Sequence, residues 1–421
     1  MTGLLFGTFA LLLLIGVPVA FTVAIAGVAV LISGDVSLMM IVQRMFAATN
    51  SFPLIAVPFF ILAGDLLSNG SLSRLLVEFC ESLLGRIRGG LSIVSVVAGM
   101  FFAAISGSGA ATTAAVGGTL VKPLEDRGYE PASAAALIAA AGCIGVVIPP
   151  SVPMVLYAVI ADQSVVQMFS KGFVPGFMMG GILIAVALVQ AHKNSYPRGE
   201  KQDIKHILKA FLKAIPGILM PAVILGGIFS GYFTPSEAAA VAVIYAIPVS
   251  AFLYRDLSWK KLGKILIGSA KTSSVIMIII ACSGVFGWVL ANWKIPEAVA
   301  SGILSVSTNK FVLMFLVGIV ILIAGIFMET SSAVILLTPV FLPLVKALGV
   351  NLVHFGIVFV VGISIGMITP PVAINLFVAS SVTKLPIEKI AAKVIPYLVA
   401  LIVVFFLYMY IPMIFPGLFV T

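Results

Sequence analysis

Two stretches set 221 residues apart carry one backbone instruction: Gly145-Val146-Val147-Ile148-Pro149-Pro150 and Gly366-Met367-Ile368-Thr369-Pro370-Pro371, each inside a long apolar segment. The same offset pairs Gly128 with Gly349 and Pro175 with Pro396. A proline has no N–H for the preceding turn and its ring crowds the carbonyl there, so a helix meeting Pro-Pro breaks. Broken backbone at membrane depth persists only where something satisfies its polar groups. A duplicated break therefore points to a transporter made of two homologous repeats, with its site at the breaks.

The chain is 61% hydrophobic and 9% charged, which takes it out of the soluble classes. At least nine segments are long enough to cross or deeply enter a bilayer, most clearly 89–107, 132–161, 174–191, 263–292, 311–328 and 394–415. A secretory signal opens with basic residues, whereas here the first charge is Asp35 and the first basic residue Arg44. The initial apolar stretch, with its own Gly16-Val17-Pro18 break, is thus expected to be retained. Cys80, Cys143 and Cys282 are too few and too far apart for a disulfide framework or a zinc site. His192, His206 and His354 are equally scattered, and no acid cluster supports an enzyme.

The net charge of +9 does not imply nucleic acid, because its densest part, Lys193, Arg198, Lys201, Lys205, Lys209 and Lys213, lies in a short linker between apolar segments. Such loops face the cytoplasm and can touch anionic lipid heads. The linker, 192–213, divides a first repeat, 1–191, from a second, 214–421. The first comprises a scaffold at about 1–70, an amphipathic arm helix at 71–84, and a hairpin and broken helix at about 89–191. The second repeats this with a scaffold at about 214–292, an arm at 296–306, and a hairpin and broken helix at about 309–421. With the linker inside, inverted repeats place both termini outside. That threading puts 18 of the 24 Lys and Arg on the linker side, as the positive-inside rule requires.

Each hairpin has a small polar tip, Ser106-Gly107-Ser108-Gly109-Ala110-Ala111-Thr112-Thr113 and Glu329-Thr330-Ser331-Ser332. About 17 apolar residues precede each tip and fewer are expected to follow it. Hydroxyls and freed carbonyls are hard oxygen ligands, so each tip paired with its own break forms a cation site. Glu329 inside a membrane segment costs about 2.5–3.5 kcal/mol or more and is a functional residue by default. It can bind a cation or cap the returning helix. Asp65 and Lys271 are expected to pair within the scaffold. Ser108, Thr112, Ser151, Thr330 and Asn375 face the gap between tips and breaks by position and are the expected substrate contacts. No basic residue falls at the midplane, so an anion would rest on hydroxyls, amides and helix N-termini.

Ser51-Phe52-Pro53-Leu54-Ile55-Ala56-Val57-Pro58-Phe59-Phe60, Ile105-Ser106-Gly107-Ser108, Ile148-Pro149-Pro150-Ser151, Phe233-Thr234-Pro235-Ser236-Glu237-Ala238-Ala239 and Thr369-Pro370-Pro371 give the chain a further identity. Along its whole length it resembles the large membrane subunit of tripartite ATP-independent periplasmic (TRAP) transporters. The resemblance implies an all-α polytopic membrane protein of the ion transporter superfamily. Two inverted-topology repeats with re-entrant helical hairpins and broken helices would work as a sodium-driven elevator. It implies two partners in the bacterial inner membrane and periplasm: a small four-helix membrane subunit, and a solute receptor that delivers an organic acid. It also implies at least two coupling Na+ ions. One would be held by Ser106, Ser108, Gly145, Ile148 and Pro150, the other by Glu329, Thr330, Ser332, Gly366 and Thr369. Glu329 stands where many members have Asp, and Pro370-Pro371-Val372-Ala373-Ile374-Asn375 departs from the commoner Pro-Pro-Val-Gly-Leu-Asn. Family substrates include C4-dicarboxylates and sugar acids, and the neutral pocket favours a monocarboxylate such as sialic acid. A stand-alone sodium–carboxylate symporter of the same fold and a channel are the alternatives.

Overall fold

Apolar runs without strand-like alternation fold here as helices, which satisfy every backbone group inside one segment. The computed structural model describes residues 1–199, 202–306 and 309–415, and these form nineteen α-helices. Lys201 of the basic linker and residues 416–421 lie outside the described residues. Among the described residues seven helices are long and apolar enough to cross a membrane, or eight if one pair bent by 67° is a single span. The other apolar segments are shorter helices of 10–17 residues. At 1.5 Å per residue these fall short of a hydrocarbon core of about 30 Å.

The segments expected to form the scaffold fold as α1 (Thr2–Leu14), α2 (Val19–Ser33), α3 (Met39–Thr49), α4 (Ala56–Ser68), α11 (Ile204–Phe229), α12 (Pro235–Pro248) and α13 (Trp259–Asn292). The bent pair is α3 with Phe52–Ser68, a short 3-10 turn that runs into α4, and it bends at Asn50-Ser51, with Pro53 in the first turn that follows. The two halves of the chain interleave: α4 packs on α12, and α13 packs on α2 and α3. Ser236 Oγ fixes one such junction by donating to Phe52 O at 3.0 Å. Asp65 and Lys271 do not pair. Ser269 Oγ donates to Asp65 Oδ2 at 2.6 Å instead, and Lys271 is exposed. Two residues along a helix turn the side chain by about 200°, so positions 269 and 271 cannot both face α4.

The arm helices are α5 (Leu72–Leu84) and α14 (Ile295–Val306). Leu72, Leu76 and Cys80 bury the inner stripe of α5, while Phe79 meets Phe211 of α11 with ring centroids 5.3 Å apart. Beyond the arms the elements recur at the 221-residue offset. Hairpin arms α6 (Gly90–Ser106) and α7 (Gly109–Asp126) match α15 (Lys310–Phe327) and α16 (Thr330–Ala347). The helices leading into the breaks, α8 (Pro131–Gly142) and α17 (Leu352–Gly366), are followed by α9 (Val152–Ile160) and α18 (Ile374–Thr383), and then by α10 (Val165–Lys193) and α19 (Ile387–Ile414). Both Pro-Pro bonds, Pro149-Pro150 and Pro370-Pro371, are cis.

Two further expectations change. The returning arms α7 and α16 are each 18 residues, not shorter than the arms before them, because Pro123, Pro339 and Pro343 sit inside the helices without ending them. The polar linker is also shorter than 192–213, since α10 extends to Lys193 and α11 begins at Ile204. Ile204, Leu208, Phe211 and Leu212 continue the apolar pattern of α11, so Lys205, Lys209 and Lys213 ride on a helix.

Candidate transport site

At the first tip α6 ends on Gly107, whose φ of +59° a residue with Cβ would resist. A Cβ there would also stand 2.8 Å from Pro150 O. Ser108 then caps α7, accepting from Ala111 N at 3.4 Å. Ser106 Oγ donates to Ser108 O at 3.2 Å, accepts from Ser108 N at 3.3 Å and lies 3.1 Å from Thr112 Oγ1. The break presses against this cluster: a Cβ on Gly145 would be 2.7 Å from both Ser108 O and Thr112 Oγ1. Ser106 Oγ, Ser108 O, Thr112 Oγ1 and Pro150 O thus gather as hard oxygens around one tip. Ile148 points elsewhere, its side chain packing on Gly176 of α10.

The second tip is built on Glu329 in the place of Ser108. Its Oε2 accepts from Ser332 N at 3.1 Å and Ser332 Oγ at 3.4 Å, and its Oε1 from Ser331 Oγ at 3.1 Å. Thr330 Oγ1 is wholly buried and meets only the weak acceptor Met367 Sδ, at 3.4 Å. Gly366 packs directly on Gly325 of α15, which brings break and hairpin together. Thr369 Oγ1 is taken up by its own helix end, donating to Ile365 O at 3.0 Å.

A cavity of about 480 Å³ joins these parts. Both tips reach it through Ser106–Ala111 and Glu329, Ser331 and Ser332. Both breaks reach it through Val146, Met367 and the starts of α9 and α18 at Val152 and Ile374. The first turns of four helices, α7, α9, α16 and α18, therefore border one space, and free N–H groups at helix starts favour an anion. The opposite wall belongs to the scaffold: Ile61 and Asp65 of α4, and Thr272, Val275, Ile276 and Ile279 of α13.

Of the five expected substrate contacts only Ser108 lines this cavity; Thr112, Ser151, Thr330 and Asn375 are fully buried behind it. Ser151 caps α9 and donates to Val146 O at 2.5 Å, spanning the first break. Asn375 Nδ2 crosses from the second break to Ala139 O of α8 at 3.2 Å, leaving Oδ1 buried without a partner. These residues brace the tips and breaks from behind the cavity. The cavity wall also holds Asp65, Thr272 and Ser331, which the sequence did not single out as contacts. An intramembrane carboxylate was the available signal for Asp65.

The sequence profile described as "Tripartite ATP-independent periplasmic transporter, DctM component" matches residues 6–414. The C4-dicarboxylate TRAP transporter large permease protein DctM of Pseudomonas aeruginosa is 40% identical over 369 residues, covering 88% of this chain and 86% of that protein. The isethionate TRAP transporter permease protein DctMQ of Oleidesulfovibrio alaskensis is 38% identical over 411 residues, 97% of this chain and 65% of that longer protein. In fold, the chain is similar to the crystal structure of the Alcanivorax borkumensis YdaH transporter, with a TM-score of 0.65 at 15% identity over 90% of this chain and 88% of that one. With a match that spans nearly every described residue and these relatives, the chain belongs to the DctM-like large-permease family of TRAP transporters, transport proteins rather than enzymes, and is a multi-pass protein of the bacterial inner membrane.

Proposed function

We propose that this chain is the permease of a sodium-coupled uptake system for an organic acid, working as an elevator. The observation that carries the reading is the single cavity bordered by both tips, both breaks and two scaffold helices. In the proposal, hairpins, broken helices and α10 and α19 form a block that slides against α4 and α13, carrying the site from one face of the membrane to the other. The recurrence of elements at a 221-residue offset, with α4 packing on α12 and α13 on α2, supports two repeats of inverted topology.

Sodium is cargo in this scheme. One ion would take Ser106 Oγ, Ser108 O, Thr112 Oγ1 and Pro150 O, with Gly145 allowing the approach. A second would sit by the other tip and break, at Thr330, Ser332, Gly366 and Thr369, with Glu329 supplying charge and the cap. Bound cations between the tips and breaks would offset the anion's charge and hold the cavity in the form that accepts it. The organic acid would rest against Ser108, Ser331 and the four helix starts. Relatives named for a C4-dicarboxylate and for isethionate support a small organic anion as the class, and a sugar acid such as sialic acid also suits a site without a basic side chain.

The proposed partners are a small four-helix membrane subunit and a periplasmic solute receptor, as the tripartite family description supports. Both termini would lie in the periplasm and the basic linker in the cytoplasm. The test is uptake of radiolabelled succinate, N-acetylneuraminate and isethionate into proteoliposomes holding the chain and its small subunit, with and without the receptor, against sodium concentration. The reading requires uptake of at least one of them that depends on both sodium and receptor. Receptor-independent uptake would favour the stand-alone symporter.

A further inference from the structure

Helix α13 runs past three cavities in sequence. At its start Lys261, Lys264 and Gly268, with Asp65 of α4 and Asn69 just past its end, border a cleft of about 380 Å³. The transport cavity comes next, from Thr272 to Ile279. Beyond it Ile280, Ser283, Gly284 and Gly287 border a third space of about 390 Å³, whose lining carries no charged side chain. The first two spaces share Asp65 and Thr272 as wall residues, so they meet there. The transport cavity therefore adjoins a polar cleft toward the start of α13, and an uncharged space lies farther along the helix at the other end.

The charges along this cleft are ordered. Asp65 sits at its inner end, held by the 2.6 Å bond from Ser269 Oγ between two helices of the scaffold. At the outer end Lys261 Nζ is held by Asp256 O at 2.8 Å, and Lys264 is exposed with no ion pair among the described residues. A carboxylate beside a site for an anion raises the anion's energy at that point, whereas ammonium groups farther out lower it.

We propose that the cleft between α4 and α13 is an exit path for the transported organic anion, with Lys261 and Lys264 as its attracting mouth and Asp65 as the residue that keeps the anion from resting at its inner end. The proposal depends on the uptake reading for the identity of the cargo, but the path and its charges do not. Asp65 belongs to the scaffold, so it would repel the anion only when the moving block brings the cavity to this level. Released sodium ions would see the opposite sign, attracted first by Asp65.

The test uses thiol probes of opposite charge and needs neither substrate nor sodium. Thr272→Cys is introduced into the full chain after Cys80, Cys143 and Cys282, all buried, are replaced by Ala. Anionic sulfonatoethyl and cationic trimethylammonioethyl methanethiosulfonates are applied to right-side-out and inverted membrane vesicles. Gln202→Cys in the linker reports which face is which and that the chain is inserted. The account predicts labelling of Thr272→Cys from the linker face. Asp65→Asn should raise the anionic-to-cationic rate ratio about threefold and Lys264→Gln should lower it about threefold, the effect of one unit charge several ångströms away in a wet cleft. Labelling only from the opposite face, labelling from neither, or a ratio unmoved by both substitutions would overturn it. Should Asp65→Asn not insert, Lys264→Gln and Lys264→Glu at the exposed mouth test the same sign, and no graded fall in the ratio would be equally fatal. Uptake that proved independent of sodium would refute the proposed function and leave this result standing.

Discussion

Ser108 and Glu329 occupy equivalent places 221 residues apart: each is the N-cap of a returning hairpin arm, Ser108 Oγ accepting from Ala111 N at 3.4 Å and Glu329 Oε2 from Ser332 N at 3.1 Å. The second tip thus does with a carboxylate what the first does with a hydroxyl, and adds a charge at the cavity wall. Glu329→Gln keeps an acceptor of the same length and should preserve folding, while raising the half-saturating sodium concentration several-fold through the lost charge. Glu329→Ala should additionally cost about 1 kcal/mol of stability as the cap is lost. Thermal unfolding of the purified variants, read beside sodium-titrated uptake, separates the two effects.

The hydroxyls carry a second prediction. Ser106→Ala removes an oxygen from the cluster with Ser108 O and Thr112 Oγ1, and Thr330→Ala removes one that meets only a sulfur. Each variant should express and insert normally and yet require more sodium for half-maximal uptake. A sodium response unchanged in both would remove the two-site proposal.

Glycine at the first break is a steric requirement. Gly145→Ala would drive a methyl group to 2.7 Å from Ser108 O and Thr112 Oγ1, so it should destabilise by about 1–3 kcal/mol and abolish uptake. Gly118→Ala in α7, where a Cβ meets nothing within 4 Å, should be neutral or stabilising by up to about 1 kcal/mol. Equal effects of the two substitutions in a detergent-stability assay would refute the close approach of break and tip.

Orientation is tested by labelling intact cells with an impermeant thiol reagent. A cysteine replacing Thr421 should react and one replacing Gln202 should not. The reverse pattern would overturn the placement of both termini in the periplasm.

The parts of this architecture that could be read in advance are those where covalent chemistry leaves the backbone little choice. Pro149-Pro150 and Pro370-Pro371 cannot continue a helix, and Gly107 between two serines marks a reversal. The breaks and tips therefore fall where the sequence puts them, and α5 begins within one residue of its expected start. What could not be read is rotation about helix axes. Thr112 and Ser108 are four residues apart on one tip, yet one is buried and the other lines the cavity, because Thr112 turns inward onto Ser106 and the break at Gly145. The same freedom sends Ser269, rather than Lys271, to Asp65. The length of α7 and α16 was equally hidden, since neighbouring helices can hold a segment helical in spite of prolines inside it.

The central claim is that one block moves against another. Phe173 of α10 and Phe229 of α11 face each other across that boundary with ring centroids 6.5 Å apart. Cysteines at these two positions, in the chain with its native cysteines replaced, should be bridged by a short bifunctional methanethiosulfonate that a reducing agent removes. The measurement is sodium-driven uptake by the bridged protein, reconstituted with its small subunit and receptor. The account predicts that uptake stops when the bridge forms and returns on reduction. Undiminished uptake by fully bridged protein would contradict it and would favour gating by the hairpins alone.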